Sequence, residues 1–265
     1  MQKGTDLDQT YDFFSAKRIE DIVLMRFREN LLLHGTDLNA RDSLFDYIDY
    51  VSKSDEVKVV LIIGSPEKKG CEEYIEFYRK VFEFQLGENA IERLYNAVNQ
   101  FILKIVDLNK IVVHADSGEV ISLFLNVSLA CDYRIVADNT VFKNPCLDLG
   151  LVPKGGGAFF LSKMVGMSRA LESLLSEEDI PAQEALRLGI VDKVVPPGKL
   201  EKSALEIAQG FARKPDSTLA GIKRLLNYSM KDLGDFLELE NQVLLHIGRS
   251  PEFRKRLREC VSDSP

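Results

Sequence analysis

Side chains that could transfer a proton or attack a carbonyl carbon are concentrated between residues 114 and 154. Cys146 could act as a nucleophile if a neighbouring base lowered its thiol pKa, or it could pack as a small buried thiol. Lys154 lies in a glycine-rich turn, where it could neutralise an anion, act as a base once desolvated, or simply be exposed. Glu119 follows a Ser-Gly turn and could be an acid or base with a raised pKa, or a solvated loop carboxylate. Burial decides between these roles.

Histidine, aspartate and serine also occur close together, at His114, Asp116 and Ser117. They have the composition of a hydrolytic triad, but residues so close on one strand point to alternating faces, so we predict no relay. The four cysteines show no CxxC spacing, and three histidines give no zinc-site pattern. We therefore predict reduced thiols and no metal.

The composition is that of an acidic globular protein of 265 residues with a net charge of -7. Negative charge repels a phosphate backbone, and the basic run near the C-terminus is interspersed with Glu252 and Glu259, so we expect no nucleic-acid partner. No segment has the ~18 uninterrupted apolar residues of a membrane span, and the N-terminus lacks a signal-peptide core. We expect a cytoplasmic protein without membrane contact.

Apolar runs at 22–27, 57–64 and 111–115 predict buried strands. Helical spacing predicts a helix after an Asn39 cap, two further helices broken near Gly87, and another helix at about 120–130. A strand at YRIVAD follows, and beyond Pro197 the chain reads as amphipathic helices alone. The pattern predicts a layered α/β fold with parallel pairing and a helical C-terminal subdomain.

Three ordered motifs between Leu129 and Pro197 carry the most specific signal in the chain. They read LACDYRIVADNTVF, DLGLVPKGGG and AQEALRLGIVDKVVP. They resemble the ACD-x-R-I-A, LG-x-x-P-x-GGG and A-x-x-A-x-x-x-GLV-x-x-VVP patterns of the crotonase superfamily, which includes enoyl-CoA hydratases and isomerases. A weaker resemblance extends upstream through VKVVLIIG and KIVVHADSG and downstream to LELEN, so it covers nearly the whole chain.

This resemblance implies a fold, a ligand and an assembly. The fold is a crotonase-like ββα spiral core over residues 1–197, followed by a C-terminal helical, oligomerising region over residues 198–265. The ligand is an acyl-CoA thioester bound as a substrate, and no cofactor is bound permanently. The expected assembly is a homotrimer or a homohexamer.

The resemblance also implies positions for the site residues. Two backbone N–H groups of the family hold the thioester oxygen as it becomes an enolate, and they match Cys71 and Leu123 here. The two catalytic glutamates of the family are replaced by Asn126 and Cys146. Asn126 can hydrogen-bond a water or a carbonyl but cannot usefully exchange a proton near neutral pH. Leu123 and Phe124 add bulk where the family has glycine.

Two hypotheses follow from these departures. In the first, the protein acts on an acyl-CoA through non-classical groups, by hydrolysis, decarboxylation or double-bond migration rather than hydration. In the second, it is a catalytically silent member of the fold with a binding or assembly role. Replacement of both glutamates and the triple glycine argues against hydration under either hypothesis.

Overall fold

The computed structural model describes residues 6–65, 68–83, 85–87 and 89–262, with side chains through residue 260. Pro66 and Glu67, in the loop before Cys71, lie outside the described residues. Within these ranges ten strands form two sheets. The strands are β1 Gln9–Thr10, β2 Phe14–Ile19, β3 Ile22–Phe27, β4 Val59–Ile63, β5 Ile111–Asp116, β6 Glu119–Ile121, β7 Tyr133–Ala137, β8 Val141–Lys143, β9 Ile180–Pro181 and β10 Lys193–Val195.

Helices follow most of the strands. They are α1 Leu31–His34, α2 Leu38–Lys53, α3 Cys71–Phe82, α4 Ala90–Asp107, α5 Ser122–Ser128, α6 Pro145–Asp148, α7 Gly157–Met164, α8 Met167–Leu175, α9 Ala182–Leu188, α10 Leu200–Ala212, α11 Asp216–Asn227, α12 Leu233–Gly248 and α13 Pro251–Ser262. None of the helices in the described ranges is both long and apolar enough to cross a membrane.

The main sheet has the strand order β1-β2-β3-β4-β5-β7-β10. The five strands from β3 to β10 are parallel, which confirms the predicted pairing, whereas β1, β2 and β3 pair in antiparallel. All five residues of β4 are buried because both faces of the sheet are covered. Val60 and Ile62 pack into one core cluster, and Val59 and Leu61 pack into the other.

Several predicted boundaries are wrong. Asp37 rather than Asn39 caps α2, since its carboxylate accepts hydrogen bonds from the main-chain amides of residues 39 and 40. The helix predicted over 120–130 starts later, because residues 119–121 pair with β8 instead. The predicted break near Gly87 is confirmed: α3 ends at Phe82, α4 begins at Ala90, and Gly87 has a φ of 80°.

The small second sheet, β6-β8-β9, positions the residues of interest. β6 leads directly into α5, and β8 leads into α6, so the N-terminal ends of these two helices lie side by side. α5 in turn packs on α7, which begins in the glycine-rich turn. This packing brings α5, which carries Asn126, next to Cys146 of α6 and to the turn that contains Lys154.

The predicted boundary at residue 197 falls between the last strand and α10. Only helices follow it in the described chain. α10 packs through Ala204 and Ala208 directly on the main sheet, and α12 packs on α4. The division of the chain at residue 197 therefore stays a prediction.

Candidate functional site

The first candidate donor amide, that of Cys71, already has a partner within the chain. Cys71 is the first residue of α3, and its N–H donates a hydrogen bond to Glu119 Oε1 across 2.6 Å. Gly70 makes this approach possible, because a Cβ built on it would lie 2.0 Å from the same oxygen. Glu119 thus places a carboxylate oxygen where a donor of this kind would hold a thioester oxygen.

Glu119 is bound on its other side by a cation. Its Oε2 atom lies 3.6 Å from Lys143 Nζ, which also lies 3.4 Å from Asp179. These two carboxylates raise the pKa of Lys143. Burial, reinforced by Glu119, raises the pKa of the Cys71 thiol to about 12, so this cysteine stays protonated near neutral pH.

The second candidate donor, the amide of Leu123, lies in the first turn of α5. First-turn amides have no acceptor within their own helix, and no side chain caps α5. The Leu123 side chain is buried in the core cluster that also holds Cys146. The Leu123 side chain is therefore accommodated by packing.

Asn126, which the sequence resemblance aligns with the first glutamate, is 2% exposed. Its Nδ2 atom donates to the Lys154 carbonyl oxygen at 2.9 Å. A Cβ on Gly157 would lie 2.5 Å from the same nitrogen, so the amide and the turn fit closely. Asn126 fastens the turn to α5 through a hydrogen bond to a carbonyl.

Cys146, which the sequence resemblance aligns with the second glutamate, is 1% exposed. Its thiol donates to Asn144 Oδ1 at 2.8 Å and lies 3.8 Å from Ser122 Oγ. Burial raises its pKa to about 12, which is the opposite of what a nucleophilic cysteine needs. This geometry is that of a small buried thiol, the second of the two roles considered for Cys146 from the sequence.

Aromatic side chains surround Cys146. Tyr74, Tyr78 and Tyr95 belong to the same buried cluster, and the Tyr78 and Tyr95 hydroxyls share a hydrogen bond of 2.8 Å. The rings of Tyr74 and Tyr78 pack edge to face with centroids 5.0 Å apart. These rings take up space beside Cys146, and nothing in the sequence resemblance indicated them.

The alternative of an exposed turn residue for Lys154 is wrong. Its side chain is 3% exposed, and Nζ lies 2.7 Å from Glu240 Oε2 and donates also to Asn99 Oδ1. Burial lowers the pKa of Lys154, and the carboxylate of Glu240 opposes that shift. The lysine therefore has a partner inside the protein, contributed by α12.

A cavity of about 160 Å³ opens on the far side of α5 and is lined in part by Leu123 and Phe124. Cys71, Asn126 and Cys146 do not line it. His114 and Asp116 both do, so the prediction that neighbouring triad-like residues point to alternating faces is wrong for this pair. Residues two apart on a strand lie on the same face of the sheet, and positions 114 and 116 are two apart.

Comparisons with known proteins place this arrangement in a family. The family model described as Enoyl-CoA hydratase/isomerase matches residues 22–260. The chain belongs to the enoyl-CoA hydratase/isomerase family. The crotonase superfamily resemblance is thereby confirmed.

Similar proteins in this family differ in reaction. The chain is 30% identical over 203 residues to a short-chain-enoyl-CoA hydratase from Clostridium acetobutylicum, covering 75% of each chain. It is 26% identical over 227 residues to a trans-2-decenoyl-[acyl-carrier-protein] isomerase from Streptococcus mutans, covering 85% of this chain and 86% of the relative. Membership in the family therefore leaves hydration and isomerisation both open.

Solved structures share the fold at low identity. An enoyl-CoA hydratase from Bacillus halodurans has a TM-score of 0.78 at 18% identity, with 94% of this chain and 100% of that chain covered. One from Mycobacterium avium subsp. paratuberculosis has a TM-score of 0.74 at 23% identity, covering 96% and 97%. The crotonase-like α/β fold with a C-terminal helical region is confirmed.

Proposed function

We propose that this family member binds an acyl thioester between the Cys71 and Leu123 amides and does not hydrate it. One observation carries the proposal: the side chains at both glutamate positions are buried in structural contacts and cannot exchange protons near neutral pH. Hydration needs a group that delivers water and a group that protonates carbon. Asn126 and Cys146 supply neither.

Glu119 regulates access to the thioester site in this proposal. Its carboxylate must leave the Cys71 amide before a thioester oxygen can take its place. A charge-assisted hydrogen bond contributes about 1.5–3 kcal/mol, which a ligand has to replace. Binding of the acyl thioester is therefore weakened by the chain's own carboxylate.

Glu119→Ala is expected to strengthen binding of hexanoyl-CoA roughly 10- to 100-fold, because it frees the Cys71 amide. Isothermal titration calorimetry measures the dissociation constant, with free CoA as the ligand control. Asp179→Ala serves as the matched variant, since Asp179 shares the Lys143 partner but does not contact Cys71. Unchanged or weaker binding by Glu119→Ala, or no binding by any variant, would contradict the proposal.

A second candidate function is double-bond isomerisation with Glu119 as the single base. The observation that favours it is a carboxylate beside the donor amide of Cys71. Isomerisation requires one group that takes a proton from one carbon and returns it to another. Conversion of 3-hexenoyl-CoA to the conjugated isomer, measured by ultraviolet absorbance, should then fall at least ~100-fold in Glu119→Gln. If wild-type protein leaves 3-hexenoyl-CoA unchanged, this candidate is wrong.

Self-assembly into a homotrimer or homohexamer stays part of the proposal. Support comes from large apolar side chains left exposed on successive turns of two helices. They are Met167, Leu171 and Leu175 on α8 and Ile222, Leu225 and Leu226 on α11. Burial of these side chains against other copies of the chain would remove an exposed apolar surface.

A further inference from the structure

The cavity beyond α5 is a separate chamber with its own polar end. Side chains from α2, α4, β3 and the start of the chain give it a largely apolar wall. They include Phe13, Phe27, Leu44, Phe45, Leu94 and Phe101. Its polar groups sit where strands β4 and β5 end.

Asp116 is one of these polar groups, and its carboxylate is already satisfied. Oδ1 accepts hydrogen bonds from Lys68 Nζ and, at 2.8 Å, from the Ser117 amide. Lys68 Nζ also donates to the Ser117 carbonyl at 2.8 Å. Gly64 leaves room for this carboxylate, because a Cβ there would lie 2.5 Å from Oδ1. Lys68 and Asp116 therefore neutralise each other, and neither presents an unpaired charge to the cavity.

His114 is different, because its ring has no hydrogen-bond partner among the described residues. It stands on β5 two residues before Asp116 and faces the same chamber. Burial lowers the pKa of His114 to about 4, and Asp116 opposes the shift only in part. A neutral imidazole has one donor nitrogen and one acceptor nitrogen.

The remaining charged groups that line the chamber have partners or lie at its mouth. Arg41 pairs with Asp42 at 2.8 Å, and Glu73 accepts a hydrogen bond from the Leu32 amide at 3.4 Å. Arg28 is exposed and reaches the Asp12 carbonyl. A charged ligand would thus lose its hydration without gaining an unpaired counter-charge inside.

We propose that this chamber binds a small uncharged apolar molecule carrying one hydrogen-bonding group, which His114 holds. The volume is of the right order, since an apolar protein cavity of about 150 Å³ takes up benzene. The hydrogen-bonding group offsets the cost of an unpaired imidazole facing an apolar wall. Leu123 lies in the wall that α5 contributes to this chamber, but the proposal uses the His114 end and does not rest on the proposed function.

The test compares three ring compounds of similar size: phenol, toluene and benzoate. Isothermal titration calorimetry of the full chain should give a dissociation constant for phenol roughly 3- to 10-fold lower than for toluene. Benzoate should bind more weakly than both. His114→Leu should remove the preference for phenol and keep toluene binding. His246→Leu, which alters an exposed histidine on α12, should behave like wild type.

Ala97→Leu gives a second route if His114→Leu fails to fold. Ala97 lines the chamber from α4, so added methyl groups reduce its volume without changing His114. Phenol and toluene should both lose affinity in this variant. Equal affinities for phenol and toluene in wild type, a phenol preference that survives His114→Leu, or no binding of either compound would overturn the proposal.

Discussion

Glu240→Ala is expected to lower the free energy of unfolding by about 3–5 kcal/mol, because it breaks a buried ion pair. The Glu240 carboxylate pairs with Lys154 at 2.7 Å and also accepts the amides of Gly155 at 3.0 Å and Gly156 at 2.9 Å. Removing it leaves the buried ammonium of Lys154 without a counter-charge, with Asn99 as its remaining acceptor, and two buried N–H groups without an acceptor. The total free energy of unfolding of a native protein is only about 5–15 kcal/mol, so this loss is a large part of the total.

Urea unfolding measures the free energy of unfolding of each variant. If the slope of this free energy against urea concentration is unchanged, the variant differs from wild type in stability alone. Glu240→Gln separates charge from hydrogen bonding, since it keeps one carbonyl acceptor for an amide but not the charge opposite Lys154. We expect it to fall between wild type and Glu240→Ala. Glu238→Ala, an exposed position on the same helix, should change stability by less than about 0.5 kcal/mol. A loss below about 1 kcal/mol for Glu240→Ala would contradict the account of the pair.

The sequence was sufficient to predict the architecture because its signals are local. The apolar runs that became β3, β4 and β5 are each longer than a turn and contain residues buried on both faces. The break between α3 and α4 followed from a glycine in the left-handed region. The family motifs fixed the order of elements around α5 and α7. What failed were boundaries, where β6 competed with a helix for the same residues.

The partners in the candidate site were not predictable in the same way. Glu119 and Cys71 are 48 residues apart, and Glu240 and Lys154 are 86 apart. No periodicity links positions so distant, and their contact exists only once the sheet and helices are packed. His114 and Asp116 are an exception of another kind: the prediction of alternating faces was wrong, although residues two apart on a strand lie on one face.

This chain has the fold of its family, and in our proposal it lacks the groups that hydration uses. A carboxylate of the protein occupies the Cys71 amide, Asn126 fastens a turn, and Cys146 is packed among tyrosines. Each of these three contacts lies within the folded chain. Hydratase activity is therefore expected to be lost almost entirely, against a median turnover of about 10 s⁻¹ for enzymes in general.

Incubation of the purified protein with crotonyl-CoA, followed by the ultraviolet absorbance of the conjugated thioester, tests this claim most directly. An enzyme that hydrates the double bond removes the absorbance as it turns over. We expect a rate equal to that of buffer alone, in protein that still binds hexanoyl-CoA by calorimetry. Loss of absorbance at ~1 s⁻¹ or faster, proportional to protein concentration, would contradict it.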